Sequence, residues 1–150
     1  MVNVKGTYAL VLALDKETII TVGKLTTFSF PAGYYLYVGS ALGGLFSRVR
    51  RHIRGGGKLH WHIDYLRREA KAVEVWYLVS EERLECSWHQ AAAGMPQAQV
   101  LVAGFGSTGC GCESHLTYFA STPSFEAFRH RLGQRGLDLR KMSVESEELA

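Results

Sequence analysis

The fold is decided by residues 34–54, which read YYLYVGSALGGLFSRVRRHIR. Four of the first five residues are aromatic or β-branched, which favours a strand, and a run of small residues then predicts a loop. The period changes after this loop, because Leu45, Val49 and Ile53 recur every fourth residue while arginines occupy the other positions. The stretch therefore predicts a strand, a loop and an amphipathic basic helix in direct succession.

The rest of the chain alternates between short strands and helices. Strands are predicted at residues 8–14, 18–22, 26–30, 72–79, 99–102 and 115–120, and helices at residues 60–68, 82–93 and 122–132. Thr122 is the predicted N-cap of the last helix, with Pro123 at its first position. We expect an α/β protein of the α+β kind, with a small, largely antiparallel mixed sheet flanked by helices.

A length of 150 residues predicts one domain, which we place at residues 1–142. Residues 143–150 hold three carboxylates and no basic residue, and we expect them to form a disordered acidic tail. No apolar run approaches the roughly 18 residues that a membrane span needs. The chain also starts without a secretory signal pattern, so we expect a soluble cytoplasmic protein.

Basic residues are unevenly distributed, although the formal net charge is only +3. Residues 45–58 contain five basic residues and no acidic one, and a second basic stretch covers residues 129–141. Local basic fields attract the phosphate backbone of nucleic acids, whereas many charge runs are only solvated helix faces. The residues that we expect to contact DNA are Arg50, Arg51, Arg54, Lys58, His60 and His62.

Three motifs occur in order along the chain. Gly6-Thr-Tyr8 lies in the first predicted strand, Tyr37-Val-Gly39 ends a later strand, and Arg48 and His52 lie on the basic helix. This set resembles the GIY-YIG nuclease superfamily, in particular the branch sometimes fused to endonuclease III-type DNA glycosylases. The resemblance extends over residues 5–120 and includes FPAGYYLYVGS (30–40), LHWHIDY (59–65), EVW (74–76) and GFGSTGCGCESH (104–115).

The resemblance implies a role for each motif residue. Tyr8 would help to activate the attacking water, and Tyr37 would lie near the same phosphate. Gly39 would let the backbone pass close to the substrate, because it has no side chain. Arg48 would stabilise negative charge on the phosphate, and His52, one helical turn later on the same face, would supply a titratable group.

The resemblance also implies one divalent cation. Glu85, in the helix predicted after strand 72–79, is the best match to the family's metal-binding glutamate, although Glu81 and Glu82 are close in sequence. Mg²⁺ or Mn²⁺ takes oxygen ligands and keeps several water molecules, so a single carboxylate can suffice. The implied function is a metal-dependent DNA endonuclease acting in DNA repair or on structured DNA, with DNA and an endonuclease III-type glycosylase as partners.

Two features depart from the family pattern. Tyr8 and Tyr37 are 29 positions apart, a longer separation than usual, so an extra hairpin is predicted between the two motifs. The family often has an asparagine after the metal-binding glutamate, whereas the only asparagine in this chain is Asn3. Gln90 is a candidate for that role. The alternative function is therefore a DNA- or RNA-binding module that lacks catalysis.

The three cysteines suggest a second metal site. Their odd number argues against a disulfide framework. The pattern Cys110-x-Cys112-x-x-His115 is compatible with zinc, for which Cys86 or His89 would supply the fourth ligand. In that case the chain would be a zinc-stabilised interaction domain. The same residues are also compatible with a glycine-rich loop that buries its thiols, or with the edge of the nuclease site.

Overall fold

The structure is a computed structural model that describes residues 4–55, 57–145 and 149. The strands are β1 (Gly6–Leu14), β2 (Thr18–Val22), β3 (Thr26–Phe30), β4 (Gly33–Ala41), β5 (Lys71–Val79), β6 (Leu116–Phe119) and β7 (Arg140–Ser143). The helices are α1 (Leu45–Arg54), α2 (His62–Glu69), α3 (Glu85–Ala93) and α4 (Phe125–Arg131), and a 3₁₀ helix spans Gly133–Asp138. Among these described helices, none is both long enough and apolar enough to cross a lipid bilayer.

Strand β1 lies at the centre of a five-stranded sheet with the order β6-β4-β1-β5-β7. Each pairing in this sheet is antiparallel, and β1 pairs with β4 along its whole length. Nearly every residue of β1 is buried, because both faces of the sheet are covered. The α+β fold with an antiparallel sheet, predicted from the sequence, is confirmed.

Successive residues of β1 point into two separate cores, as the period of a strand requires. Tyr8, Leu10 and Leu12 belong to a core that also contains apolar side chains of α1, α2 and the β2–β3 hairpin. Ala9 and Val11 belong to a second core, on the opposite face, to which α3 and α4 contribute. Complete burial of a leucine side chain stabilises the fold by about 2 kcal/mol. The continuous apolar run of β1 therefore serves both cores at once.

Strands β2 and β3 form the extra hairpin that the spacing of the two tyrosine motifs predicts. They pair only with each other, from Thr18 with Phe30 to Val22 with Thr26. The hairpin packs on the sheet through Ile20, Val22 and Phe30, which are buried in the first core. The insertion thus lengthens the chain between the motifs and leaves the pairing of β1 with β4 unchanged.

Strand β4 is longer than predicted, because it continues through Gly39, Ser40 and Ala41. These small residues were expected to start a loop, since glycine and serine have little preference for strands. They pair instead with Tyr8, Thr7 and Gly6 of β1, and the ladder of backbone hydrogen bonds keeps them extended.

Helix α2 begins at His62 instead of residue 60. The Asp64 carboxylate accepts hydrogen bonds from the backbone N–H groups of His60 and Trp61, at 2.7 and 2.8 Å. This cap fixes the two preceding residues outside the helix.

Helices α3 and α4 also begin later than predicted. Helix α3 starts at Glu85 instead of residue 82. Helix α4 starts at Phe125, where the Ser124 hydroxyl accepts a hydrogen bond from the N–H of Ala127 at 3.1 Å. The prediction of Thr122 as N-cap and Pro123 as first helical residue is therefore wrong by two positions. A serine and a threonine are equally good caps by composition, and the path of the chain decides between them.

Two further segments differ from the prediction. Residues 99–102 do not form a strand and make a single bridge, between Gln99 and Tyr118. Strand β7, which was not predicted, pairs with β5 at the edge of the sheet, so the predicted tail boundary at residue 143 falls on the last residue of this strand. Within the predicted tail, Leu149 is buried in the first core, whereas residues 146–148 and 150 lie outside the described residues.

Replacement of Leu10 with alanine should destabilise the protein by about 3 kcal/mol, because Leu10 is fully buried at the centre of β1 and its loss leaves a cavity. Ile19→Ala is the matched control, since Ile19 is 73% exposed on β2, and it should change stability by less than about 0.5 kcal/mol. Urea unfolding followed by tryptophan fluorescence measures both. Equal effects of the two substitutions would contradict the assignment of the first core.

Candidate functional site

A pocket of about 150 cubic ångströms lies where β1, β4, α1 and α3 meet. We call it the candidate pocket. It is lined by Tyr8, Tyr37, Gly39, Ser40, Arg48, Trp61, Glu85, Gly106 and His115. Five of the six residues assigned to the nuclease site from the sequence are in this set, and the sixth, His52, contacts it through Tyr8. Ser40, Trp61 and Gly106 were not predicted to belong to the site.

The pairing of β1 with β4 places Gly39 directly opposite Tyr8. A Cβ atom at position 39 would lie 2.6 Å from the Tyr8 hydroxyl oxygen and 2.7 Å from its Cζ, which is closer than non-bonded atoms can approach. Glycine is therefore required for the Tyr8 ring to lie across the strand. Gly39 was predicted to make room for substrate, whereas in the structure its missing side chain makes room for the Tyr8 ring.

Tyr8 and His52 form a hydrogen-bonded pair inside the first core. The Tyr8 hydroxyl lies 2.7 Å from His52 Nε2, and both side chains are 1% exposed. The pKa of His52 is lowered to about 4, mainly by burial; Asp64 opposes this shift, and the cations of Arg48 and Arg51 add to it. His52 is therefore neutral at pH 7, and a neutral imidazole can accept a proton.

Both tyrosines of the site have raised pKa values. Burial raises the pKa of Tyr8 well above its ordinary value, Tyr37 adds to the effect, and the guanidinium of Arg48 opposes it. Burial likewise raises the pKa of Tyr37, again against Arg48. Both phenols therefore keep their protons at neutral pH, and Arg48 is the cation that favours their ionised forms.

Trp61 supports two arginines of α1. The Cζ atoms of Arg48 and Arg51 lie 4.4 and 4.3 Å from the centre of the Trp61 ring. Arg51 is further held by a bidentate interaction with Asp64, at 2.9 and 3.1 Å. A cation over an indole ring is stabilised by about 1 kcal/mol. Trp61 thus restricts the position of Arg48 at the wall of the candidate pocket.

Glu85 is the first residue of α3, and its carboxylate accepts a hydrogen bond from the hydroxyl of Ser40. Ser40 follows the Tyr37-Val-Gly39 motif directly, and its oxygen also lies 3.1 Å from the hydroxyl oxygen of Thr7. This link between α3 and the motif strand could not be deduced from the sequence, because 45 positions separate the two residues.

The structure distinguishes Glu85 from the two glutamates that compete with it in sequence. Glu81 lies 3.8 Å from Lys5 and Glu82 lies 2.8 Å from Arg135, and both glutamates are exposed at the surface. Glu85 alone of the three lines the candidate pocket.

Gln90 does not lie in the candidate pocket, so the prediction that it replaces the family's asparagine is wrong. It is exposed on α3, in a different cavity that Ser87 and Arg131 also line. One and a half helical turns separate it from Glu85, which places the two side chains on different faces. Asn3 lies outside the described residues.

Some of the residues predicted to contact DNA are exposed to solvent, whereas others bind to residues within the protein. Arg54, Lys58 and His60 are exposed, and Arg50 is half-buried. Arg51 is bound to Asp64, and His62 accepts a hydrogen bond from the N–H of Gly106 at 2.8 Å. His62 therefore holds a loop, a role that the sequence analysis did not assign to it. A neighbouring cavity of about 330 cubic ångströms is lined by Arg51 and Arg54, and also by Arg67 and Arg68 of α2. The two arginines of α2 were not predicted to contact DNA.

Four side chains from two segments form a group that we call the cysteine–histidine cluster: Cys86, Cys110, Cys112 and His115. Their ligand atoms all lie within 4.8 Å of one another. The distances between Cys110 Sγ and its three partners are 3.6 Å to Cys86, 3.2 Å to Cys112 and 3.3 Å to His115 Nε2. In a tetrahedral site with metal–sulfur bonds of about 2.3 Å, neighbouring sulfurs are roughly 3.8 Å apart. The cluster can therefore hold a metal ion after a small outward movement of its sulfurs.

The structure favours Cys86 over His89 as the fourth member of this cluster. His89 is buried and lies 3.5 Å from the carboxylate of Glu113, outside the group. Cys86 is in the first turn of α3, and His115 lines the candidate pocket. The cluster thus lies at the edge of the candidate pocket, as one of the predicted alternatives has it.

Acidification from pH 6.5 to pH 4 should destabilise the protein through His52. Because the pKa of His52 is lowered to about 4, the unfolded chain binds this proton in that window and the folded chain does not. Stability is therefore lost as the pH falls, by up to roughly 3 kcal/mol for this one group.

Urea unfolding at pH 7 and pH 4.5 measures this loss, and His52→Gln is the control in which the other histidines still titrate. The original protein should lose more stability than the variant on acidification. An equal loss in both would contradict the lowered pKa.

Comparison with known proteins gives one match. A family model described as Domain of unknown function DUF123 matches residues 7–136. Searches of curated proteins and of solved structures give no match. The matched range includes all the residues that line the candidate pocket and all four members of the cysteine–histidine cluster. Because the match covers most of its length, the chain belongs to the family of Domain of unknown function DUF123.

Proposed function

We propose that the protein is a metal-dependent DNA endonuclease of the GIY-YIG type, which hydrolyses phosphodiester bonds in DNA repair or in structured DNA. One observation carries the proposal. One pocket of about 150 cubic ångströms is lined by Tyr8, Tyr37, Arg48 and Glu85, which are distant in sequence. His52 is hydrogen-bonded to Tyr8. Together these groups supply a proton acceptor, a cation and a carboxylate, which are the groups that phosphodiester hydrolysis requires.

The Tyr8–His52 pair suggests how the water is activated. Tyr8 keeps its proton at neutral pH, so its phenolate is not available in the resting protein. His52 is neutral and 2.7 Å away, so it can take the phenol proton while Tyr8 takes a proton from the attacking water. The water oxygen then forms the new bond to phosphorus as the bond to the leaving oxygen breaks. In this scheme Tyr8 relays a proton, and His52 holds it only during the bond changes at phosphorus, because the burial that lowers the pKa of His52 also disfavours its charged form.

Arg48 and Glu85 have complementary roles in the same scheme. The guanidinium of Arg48, positioned by Trp61, stabilises the negative charge that develops on the phosphate oxygens. The Glu85 carboxylate, oriented by Ser40, would hold Mg²⁺ or Mn²⁺, since these ions prefer oxygen ligands. When bound, such a cation polarises the phosphate and stabilises the leaving oxygen.

We assign Zn²⁺ to the cysteine–histidine cluster. Three thiolates and one imidazole are the ligands that zinc prefers, and Mg²⁺ and Mn²⁺ do not favour sulfur. Four protein ligands leave no open coordination position, which is typical of a structural zinc site. The zinc would stabilise the domain and take no part in hydrolysis.

One observation favours a nucleic-acid-binding module without catalysis as the second candidate. Among the residues that the structure describes, neither an asparagine nor Gln90 lines the candidate pocket, whereas the exposed Arg54 lines the neighbouring cavity and Lys58 is exposed after α1. Such a module would bind DNA or RNA through phosphate contacts and release it as salt increases. An endonuclease III-type glycosylase remains a proposed partner on the strength of the resemblance alone.

Zinc content tests the assignment of the cysteine–histidine cluster. Protein purified without chelator should contain one zinc per chain by elemental analysis, and His115→Ala should lose most of it, because three ligands with a vacant position bind zinc more weakly. His130→Ala, which removes an exposed histidine of α4, is the control and should keep its zinc. A chain without stoichiometric zinc would contradict the assignment.

Cleavage assays test the nuclease itself. Purified protein with Mg²⁺ or Mn²⁺ should cut at least one of nicked, flapped and branched DNA, and Arg48→Ala and Glu85→Gln should each reduce the rate by about 100-fold, since each removes charge stabilisation of the transition state. Glu81→Gln is the matched control, because Glu81 is exposed and outside the candidate pocket, and it should leave the rate unchanged.

The outcomes separate the two candidates. Absence of cleavage on all three substrates, or cleavage that survives Glu85→Gln, would overturn the nuclease. Salt-dependent binding without cleavage would favour the binding module, and absence of DNA and RNA binding at low salt would exclude both.

A further inference from the structure

We propose that zinc in the cysteine–histidine cluster fixes the position of Glu85, so that cation binding in the candidate pocket depends on zinc. The identity of the pocket cation rests on the proposed nuclease function, whereas the positioning of Glu85 by zinc does not. The zinc acts here through structure, because its four ligands leave no position open for substrate or water.

The cluster joins two segments that form different walls of the candidate pocket. Cys86 directly follows Glu85 in the first turn of α3, and Cys110, Cys112 and His115 belong to the loop between α3 and β6. A metal bound to all four would connect the start of α3 to this loop by covalent-strength bonds. Glu85 would then be one residue away from a fixed point.

Apart from the hydrogen bond that the Glu85 carboxylate accepts from Ser40, the start of α3 has few other restraints. Its N-cap, Leu84, provides no side-chain hydrogen bond to the free N–H groups of the first turn. A helix end without such a cap frays more easily, by about 1 kcal/mol relative to a capped one. Leu84 and Trp88 are buried and hold the inner face of the turn, while Glu85 and Cys86 are only half-buried. A metal bond at Cys86 therefore acts where the helix is least constrained.

The loop is held firmly at its base. Gly104 donates to the carbonyl of Glu113 at 2.8 Å, and His115 donates to the carbonyl of Phe105 at 2.8 Å. His62 accepts a hydrogen bond from the N–H of Gly106 at the same distance. The base is thus a rigid support against which the metal can hold α3.

The described contacts between the tip of the loop and α3 are weaker. Cys86 meets Cys110 through a thiol contact of 3.6 Å, and His89 lies 3.5 Å from Glu113. Thiols are weak donors and weak acceptors. Binding of one zinc ion by both sulfurs would replace this weak contact between Cys86 and Cys110 with two metal–sulfur bonds, which connect the two walls of the candidate pocket much more strongly.

The decisive experiment compares two variants that each remove one thiolate. Cys86→Ser cuts the connection to α3 and leaves three ligands on the loop, whereas Cys112→Ser removes a loop ligand and leaves the connection through Cys86, Cys110 and His115. Both variants are loaded with zinc, and their zinc content is measured. Amide hydrogen exchange at Trp88, whose N–H donates to the carbonyl of Leu84 at 2.8 Å, then reports the order of the first turn of α3, and titration with Mn²⁺ followed by electron paramagnetic resonance reports the pocket cation.

Cys86→Ser should accelerate exchange at Trp88 and weaken Mn²⁺ binding at least about tenfold, as loss of an indirect support of a metal ligand does. Cys112→Ser should change Mn²⁺ binding less than about twofold. Equal exchange at Trp88 in the two variants, compared in samples that each hold one zinc per chain, would overturn the inference, whether or not any Mn²⁺ binds. Faster exchange in Cys86→Ser in a protein that binds no Mn²⁺ would leave the positioning of Glu85 by zinc in place and overturn the proposed cation site.

Discussion

The antiparallel register between β1 and β4 is the constraint on which the candidate site depends. It sets Tyr8 opposite Gly39, and the missing side chain at Gly39 lets the tyrosine ring cross the strand to reach His52. The same register places Ser40 beside Thr7, from where its hydroxyl reaches Glu85. A shift by one residue would turn every one of these side chains to the opposite face of the sheet.

Burial then gives these groups their chemical character. The first core surrounds Tyr8 and His52 so completely that the phenol stays protonated and the imidazole stays neutral. Arg48 is at the border of this core, against Trp61, where water screens its charge less than at the surface. A site with a neutral proton acceptor, a fixed cation and a carboxylate can thus exist at the edge of an apolar core.

The two proposed metal sites would differ in chemistry and share one helix end. Glu85 offers oxygen to the candidate pocket, and Cys86 offers sulfur to the cysteine–histidine cluster. Hard divalent cations prefer the first and zinc prefers the second, so the two sites need not compete for one ion. In this proposal, adjacent residues at the start of α3 connect the stability of the domain with the geometry of the candidate pocket.

The sequence by itself determined the elements and the local motifs, because hydrophobic period, glycine and proline act over a few residues. Hydrophobic period and turn residues predicted the strands β1 to β5 and the basic helix α1, whereas the resemblance to GIY-YIG nucleases implied the extra hairpin and the choice of Tyr8, Arg48 and His52. Only the tertiary structure decided contacts between distant segments: Ser40 with Glu85, Trp61 with Arg48, and Cys86 with Cys110. It also placed Gln90 in another cavity and extended β4 through Gly39. Such contacts depend on how the sheet and helices pack, and no short-range pattern along the chain specifies that packing.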